Sequence, residues 1–193
     1  MKKHKRLIII SVFFIFTFFY SAFCVLRHVG IMDNAKYEEL ISTHSDRAGV
    51  DRLLVKAVMK RESNMNPGAV SSKGAVGLMQ IMPKTAQEIA GQIGMPDYKE
   101  EMLKEPELNI MFGVFYLGKL LSYYNSNLLL ALAAYNAGIG NVDKWISQNP
   151  AVAVKISKIP FKETRKHTKA IIITYNFYKG ADKLKRLLKI KTA

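Results

Sequence analysis

One glutamate lies where a predicted helix gives way to a loop, a position suited to acid–base chemistry. Residues 51–62 read DRLLVKAVMKRE, and Leu54, Val55 and Val58 form an apolar stripe opposite the basic side chains. Glu62 comes four residues after Val58, so it continues the stripe on the buried side of the helix. Burial disfavours the charged form of a carboxyl and raises its pKa. A carboxyl that keeps its proton near neutral pH can protonate a leaving oxygen.

A glutamate at a helix end also has a plainer interpretation, as a solvated side chain paired with the neighbouring Arg61. The rest of the chain decides between the two. Glu62-Ser63 is followed by Gly77-Leu78-Met79-Gln80 and then by AAYNAG at residues 133–138.

The blocks resemble the lytic transglycosylases that carry the soluble-lytic-transglycosylase, or goose-lysozyme-like, domain. The resemblance continues in the same order through residues 66–67, 107–117, 140–145, 159–165 and 175–178, and covers roughly residues 45–180. Several collinear blocks at the family's spacing are specific evidence, whereas one tetrapeptide would be weak. The resemblance implies a mainly α, lysozyme-like domain with a small loop or hairpin region that cleaves peptidoglycan glycan strands.

The resemblance also implies a reaction that uses Glu62 as the only catalytic acid. Most glycosidases use a pair of carboxyl groups, but no second acid here matches a catalytic position of the family. Glu62 would protonate the MurNAc–GlcNAc β-1,4 oxygen while the substrate's N-acetyl group stabilises the cation. It would then take the proton of the muramic acid O6 hydroxyl, which attacks C1 and closes a 1,6-anhydro ring. No water is consumed, and no metal or other cofactor is expected.

The same resemblance implies a set of substrate-binding residues, namely Ser63, Gly77, Leu78, Met79, Gln80, Tyr135, Asn136, Glu163 and Tyr175. Glycine permits close backbone approach, and Met79 offers an adaptable apolar floor. Ser63 could hydrogen-bond the acid or the substrate, and Gln80 could donate to sugar or N-acetyl oxygens. The hydroxyl of Tyr135 is expected to pair with Glu62, since a buried hydroxyl needs a partner.

Each of these assignments has a structural alternative. Ser63 could be an ordinary polar group at a helix end, residues 77–80 a plain surface hairpin, and Tyr135 a core tyrosine. Glu163 could bind the stem peptide or a sugar, or pair only with Arg165. Tyr175 could complete the wall around the acid or simply pack within the last helix.

One position departs from the family's pattern. The family usually has a tyrosine two residues after the triplet Glu163-Thr164-Arg165, and this chain has His167 there. The substitution is expected to change a stacking or wall-packing contact and to leave the acid untouched.

Helical segments with clear boundaries are predicted to position these residues. The segments cover residues 34–48, 51–62, 83–91, 107–124, 127–138, 141–149 and 162 onward. Asp51 and Asn127 are suited to cap helices, and Pro83 suits a first helical turn. Residues 63–80 are rich in Gly, Ser, Asn and Pro, which predicts loops or a small hairpin. The domain is therefore expected to be all-α or nearly so.

The N-terminus predicts a transmembrane anchor. Residues 1–6 are basic, and Leu7–Leu26 contains no charged residue. Such a segment spans roughly 30 Å as a helix, the thickness of a bilayer's hydrocarbon core. The positive-inside rule keeps residues 1–6 in the cytoplasm and places the linker 27–34 and the domain 35–193 outside it. Nothing before the domain resembles the large helical ring of the soluble members, so a minimal, anchored form is expected.

Cleavage of this segment is the alternative to an uncleaved anchor. A secretory signal ends in small residues at an A-x-A-like site, but here Phe23 comes directly before Cys24. That is a poor site for ordinary cleavage and for cleavage ahead of a lipidated cysteine, although both remain open. With one cysteine in the chain, an intrachain disulfide is excluded.

The charge balance limits the partners. Lys and Arg number 29 against 15 Asp and Glu, a formal net charge of +14, which favours nucleic acid, anionic lipid or anionic wall polymers. A domain outside the cytoplasm argues against nucleic acid and leaves peptidoglycan and the membrane.

Two other functions stay open. A muramidase of the same fold would need an acid that activates water, and a non-catalytic wall-binding scaffold would not need Glu62, Gln80 and Tyr135.

Overall fold

The structure of the chain is a computed structural model that describes residues 10–21 and 36–187. The chain divides into two compact units, Met1–Lys36 and Tyr37–Ala193. In the first unit, residues 10–21 form helix α1, whose side chains are exposed. Across the described residues, no helix is both long enough and apolar enough to span a bilayer. The predicted tail 1–6 and linker 27–34 lie outside the described residues, as do both ends of the predicted anchor.

The second unit is helical, which confirms the predicted mainly α fold. Its described part contains the helices α2 (Glu38–Ala48), α3 (Arg52–Ser63), α4 (Pro83–Gln92), α5 (Pro106–Tyr123), α6 (Leu128–Ala137), α7 (Ile139–Gln148) and α8 (Lys162–Leu187). Short 3-10 helices cover Glu100–Lys104, Pro150–Ala153 and Ile156–Lys158. Between α3 and α4 the chain forms turns joined by two isolated antiparallel bridges, Val70 to Val76 and Val76 to Ile81.

The predicted capping residues are confirmed. The Asp51 carboxylate accepts a hydrogen bond from the Leu53 N–H at 2.8 Å, and the Asn127 side chain accepts one from the Leu130 N–H at 3.2 Å. Pro83 lies in the first turn of α4, where its missing N–H costs nothing. Gly49 ends α2 in the left-handed conformation at φ 64°. These ends fix where α3 begins and therefore which residue it delivers to the loop.

Helix α6 is the buried centre of the unit. Its sequence LLLALAAYNA is apolar almost all round, and such a helix is stable only when neighbours cover every face. Helices α5, α7 and α8 pack against it. Ala131, Leu132, Ala133 and Ala134 are fully buried. The small alanine side chains bring the neighbouring helices close, and the two polar residues that follow them appear at the edge of the core.

Helix α3 is held from two sides. α2 and α8 both pack against it, and Lys56 forms an ion pair with Glu38 of α2. On the α8 side, the Tyr175 hydroxyl donates to Asp51 Oδ2 at 2.7 Å. The N-terminal end of α3 is consequently fixed with respect to α8.

Candidate active site

Glu62 lies in the last turn of α3 with its side chain 13% exposed. Val55, Val58 and Met59 of the same helix are fully buried, so the glutamate does continue the apolar face. The helix ends at Asn64, which adopts the left-handed conformation at φ 53°. The carboxyl is therefore held at the junction between the core and the loop.

His167 of α8 contacts this carboxyl. Its Nε2 lies 2.9 Å from Glu62 Oε1, and its own side chain is 8% exposed. The prediction that the histidine would leave the acid untouched is wrong. The reason is the packing of α8 along α3, which turns position 167 toward the end of α3 rather than toward an outer wall.

Ser63 links α3 to the following loop. Its hydroxyl lies 2.8 Å from the Leu78 carbonyl oxygen and 3.2 Å from that of Met59, and both carbonyls can accept its proton. The proton is thus directed at backbone oxygens, whereas the sequence suggested the acid or the substrate as its partner. Its contact with Leu78 sets the distance between the acid's helix and residues 77–80.

Gly77 occupies a position that accepts no side chain. Its φ is +83°, and a Cβ there would lie 2.6 Å from Asn109 Cγ and 2.7 Å from the Leu103 carbonyl oxygen. Glycine is needed both for the backbone conformation and for the close approach. The loop is therefore seated directly on α5 and on the end of the preceding 3-10 helix.

Asn109 organises this loop, and sequence reasoning did not assign it a role. It is 1% exposed; its Oδ1 accepts from the Met79 N–H at 2.8 Å, and its Nδ2 donates to the carbonyls of Val76 at 2.9 Å and Leu103 at 2.8 Å. A buried amide with three backbone partners acts as a template for the loop. The available signal was a polar residue on the apolar face of a long helix.

The side chains of Leu78 and Met79 are fully buried. A Cβ on Gly113 of α5 would lie 2.6 Å from Met79 Cβ, so a close helix–loop approach accommodates the methionine. Gln80 has φ 49°, and its Nε2 donates to the carbonyls of Ala69 and Gly77 at 3.1 and 3.0 Å. Both amide protons are used inside the loop, which leaves Oε1 as the atom of this side chain available to a substrate.

The Tyr135 hydroxyl donates to the Met79 carbonyl oxygen at 2.7 Å, where Glu62 was the expected partner. Burial raises the pKa of Tyr135 well above its ordinary value, and the nearby charge of Glu62 raises it further. The phenol therefore stays protonated and keeps donating. Tyr135 lies close enough to the acid to sense its charge while anchoring the loop to α6.

Asn136 and Glu163 line a cleft of about 480 Å³ together with Lys73 and Thr164. Asn136 Oδ1 accepts from the Thr164 hydroxyl at 2.7 Å, which joins α6 to α8. Glu163 and Lys73 form an ion pair at 3.5 Å with side chains 73% and 75% exposed. Glu163 thus pairs across the cleft, and Arg165 instead donates to the Ser157 carbonyl oxygen.

Tyr175 is not brought to the acid. Its hydroxyl bonds to Asp51 at the start of α3, and Glu62 lies at the other end of that helix, roughly 16 Å away by helical rise. Burial, followed by the hydrogen bond and charge of Asp51, raises the pKa of Tyr175 to about 12. In the structure, Tyr175 joins α8 to α3.

The site thus combines one shielded carboxyl, an imidazole in contact with it and a protonated phenol beside it. Such a carboxyl can give a proton and take it back while its surroundings stay fixed. Among the residues the structure describes, no group of three or more His, Cys, Asp or Glu side chains is placed to hold a metal ion. The cleft lined by Asn136 and Glu163 opens one turn before His167 on the same face of α8.

The chain matches known proteins in sequence and in structure. Residues 39–159 match the model of the family described as "Transglycosylase SLT domain". The soluble lytic murein transglycosylase of Salmonella typhimurium is 36% identical over 148 residues, which is 74% of this chain and 23% of that protein. The membrane-bound lytic murein transglycosylase C of Edwardsiella ictaluri is 37% identical over 132 residues, or 63% and 36% of the two chains.

A solved structure, an inactive mutant of the lytic transglycosylase Slt from Pseudomonas aeruginosa, superposes with a TM-score of 0.69 at 31% identity. The match covers 82% of this chain and 25% of that one. The chain thus spans about a quarter of the length of these soluble relatives. Sequence and fold agree, and the chain belongs to the transglycosylase SLT domain family.

Proposed function

We propose that the chain is a peptidoglycan lytic transglycosylase, a lyase that cleaves the MurNAc–GlcNAc β-1,4 bond and leaves 1,6-anhydro-MurNAc ends. The main support is Glu62, a carboxyl that is 13% exposed at the end of α3, next to a loop and a tyrosine that resemble the family's motifs. The names of the matched relatives, lytic murein transglycosylases, support the same substrate and reaction.

In the proposed reaction, Glu62 gives its proton to the glycosidic oxygen as the bond to C1 breaks. The substrate's N-acetyl oxygen stabilises the cation at C1. The Glu62 carboxylate then removes the proton of the O6 hydroxyl, and O6 bonds to C1. One proton leaves the glutamate and one returns, so the enzyme is regenerated without water.

The other residues divide between binding and support. We assign substrate contact to the cleft lined by Asn136 and Glu163 and to the Oε1 of Gln80. Glu163 and Lys73 present one negative and one positive charge at the cleft edge. The pair suits the hydroxyls of a sugar or a stem peptide that carries charges of both signs. Five of the predicted substrate-binding residues hold the loop against α3, α5 and α6, namely Ser63, Gly77, Leu78, Met79 and Tyr135. We infer that they affect substrate binding through the position of the loop's backbone.

Digestion of purified sacculi followed by mass spectrometry of the muropeptides tests the function. Wild type should release 1,6-anhydro ends, and Glu62→Gln should lower the rate by roughly 10²–10⁴-fold because it removes the transferable proton. The control is sedimentation with sacculi, which Glu62→Gln should preserve, since Gln has nearly the same shape and the basic surface is intact.

Two results would replace this function. Reducing ends in place of anhydro ends would show a muramidase that activates water. Wild type that binds sacculi without cleaving them would show a wall-binding scaffold that retains the fold.

We also propose that Leu7–Leu26 forms a single-pass, uncleaved anchor, with residues 1–6 cytoplasmic and the domain 35–193 on the extracytoplasmic side. The support is the uncharged sequence of this segment after a basic tail. The name of the Edwardsiella relative, a membrane-bound enzyme, agrees with membrane association. On that side of the membrane the domain would meet peptidoglycan and no nucleic acid.

A further inference from the structure

His167 contacts the proposed acid but takes no part in the two proton transfers proposed for Glu62. Its Nε2 lies 2.9 Å from Glu62 Oε1, and the two side chains are 8% and 13% exposed. Two lone pairs facing each other at this distance would repel in a site shielded from water. One of the two atoms must therefore carry a proton that lies between them, and the contact couples the protonation of ring and carboxyl.

The second ring nitrogen limits which form of the ring fits. Nδ1 is buried and has no hydrogen-bond partner in the described part of the chain. An imidazolium would leave an N–H there without an acceptor and would bury a positive charge. A buried N–H without a partner is rarer than an unpaired acceptor. The site therefore favours a neutral ring with its proton on Nε2 and a bare Nδ1.

The N–H of Nε2 is close to the carboxylate without being aligned with it, since Nε2 makes no hydrogen bond of acceptable geometry despite the 2.9 Å separation. A small rotation of either side chain would align the two groups. Hydrogen bonds at active sites commonly tighten only when substrate is bound.

The surroundings add positive charge and one phenol. α3, α6 and the 3-10 helix Ile156–Lys158 pack against α8. α6 presents Tyr135, whose pKa is raised well above its ordinary value by burial and then by the charge of Glu62. The remaining charged residues of these elements and of the first two turns of α8 are Arg52, Lys56, Lys60, Arg61, Lys158, Lys162, Glu163, Arg165, Lys166 and Lys169.

Of the acidic groups near the ring, Glu163 lies one turn earlier on α8 and pairs with Lys73. Glu62 is then the carboxylate in contact with the imidazole.

We propose that His167 is a positioning residue for Glu62, which donates from Nε2 to Oε1 and directs the acid's proton on Oε2 toward the glycosidic oxygen. This inference rests on the proposed function. After proton transfer the same bond strengthens, because its acceptor has become charged, and it holds the carboxylate ready for the O6 proton. A proton added to the ring at Nδ1 would place a cation beside the forming sugar cation and stop the reaction.

The pH profile of kcat tests this role, with anhydro-muropeptide release from sacculi as the readout. Wild type should give a bell-shaped profile, with an acid limb where a proton added to the ring stops the reaction. His167→Gln keeps an N–H at the place of Nε2 and does not titrate. Its kcat should stay within roughly tenfold of wild type, and the acid limb should vanish.

His167→Phe removes the donor as well. Its kcat should fall by roughly 10²-fold at every pH, because a misplaced acid reacts slowly, while KM changes little. Fluorescence of Trp145, the single tryptophan and 5% exposed, reports whether each variant is folded. If His167→Phe unfolds, the shape of the His167→Gln profile still decides.

His44→Gln is the matched control. His44 is also a buried histidine, 6% exposed, but it lies on α2 and takes no part in the site. Its variant should keep the wild-type profile, acid limb included. An acid limb that persists in His167→Gln would overturn the positioning role. Wild type that releases no anhydro ends at any pH would instead overturn the proposed function, so the two failures are separable.

Discussion

The backbone conformation of Gly77 sets the position of the loop 77–81 next to Glu62. Gly77 has φ +83° and lies against Asn109 and the Leu103 carbonyl, so that a Cβ would come within 2.7 Å of backbone. Gly74, three residues earlier in the same loop, has φ +84° and open space around it. The two glycines share a backbone conformation and differ in whether a methyl group has room.

Gly77→Ala and Gly74→Ala should therefore differ in stability. Both place a side chain at positive φ, at a cost of about 1–2 kcal/mol, and Gly77→Ala adds about 1–3 kcal/mol of overpacking. Gly77→Ala should also lower activity, because the loop must lift away from α5. Urea unfolding followed by Trp145 fluorescence gives both free energies. Equal losses of unfolding free energy in the two variants would show that the loop can move away from α5 without destabilising the fold.

At the level of residues, the sequence predicted what depends on local pattern and missed what depends on packing between distant segments. The burial of Glu62 followed from the spacing of Val55 and Val58. The contact of His167 with Glu62 joins residues from α8 and α3 that are far apart in sequence, and no helical periodicity reports such a pairing. The role of Asn109 was hidden for the same reason, since its partners lie in another part of the chain.

At the level of elements, α6 and the loop 77–81 are joined by one hydroxyl. Tyr135, in the last turn of α6, donates to the Met79 carbonyl at 2.7 Å, and its ring packs on that of Tyr116 with centroids 5.5 Å apart. The loop is held from α5 by Asn109 and from α6 by Tyr135. Its position beside the acid thus depends on two helices that meet in the core.

Tyr135→Phe should loosen this joint. It leaves the Met79 carbonyl without its donor, at a cost of about 1–3 kcal/mol in the free energy of unfolding, and should lower kcat roughly tenfold. Tyr123→Phe is the control, since the Tyr123 hydroxyl donates to Asp143 at 2.8 Å while its ring is 55% exposed. Its loss should be about 0.5 kcal/mol or less, with unchanged kcat. Similar losses of activity in Tyr135→Phe and Tyr123→Phe would contradict the role of the Tyr135 hydroxyl in holding the loop.

Element boundaries were predictable because capping chemistry is local. Asp51, Asn127 and Pro83 start helices where their side chains predict. The 3-10 helices Glu100–Lys104 and Pro150–Ala153 were not predicted, since such short turns lack a periodic pattern and form where tertiary packing allows. The residues predicted to form loops or a small hairpin form turns with two bridges, and Asn109 adds hydrogen bonds to the backbone of Val76 and Met79.

At the scale of the whole molecule, two properties could bring the chain to a membrane. One is the net charge of +14, which attracts anionic headgroups and weakens as salt screens it. The other is the uncharged segment Leu7–Leu26, whose attraction to a bilayer is hydrophobic and persists in salt. The two differ in what releases the protein.

The proposed anchor predicts that the full chain stays in the membrane pellet through an alkaline carbonate wash and through roughly 1 M salt, where the Debye length is only about 3 Å. A chain beginning at Tyr37 should be released by salt, since it keeps most of the basic residues and lacks the apolar segment. Phe16→Arg is the matched full-length control, because one arginine at the centre of a spanning helix costs roughly 2.5–3.5 kcal/mol and should shift protein into the wash. Release of the unaltered full chain by salt alone would mean that charge, and not Leu7–Leu26, holds it at the membrane.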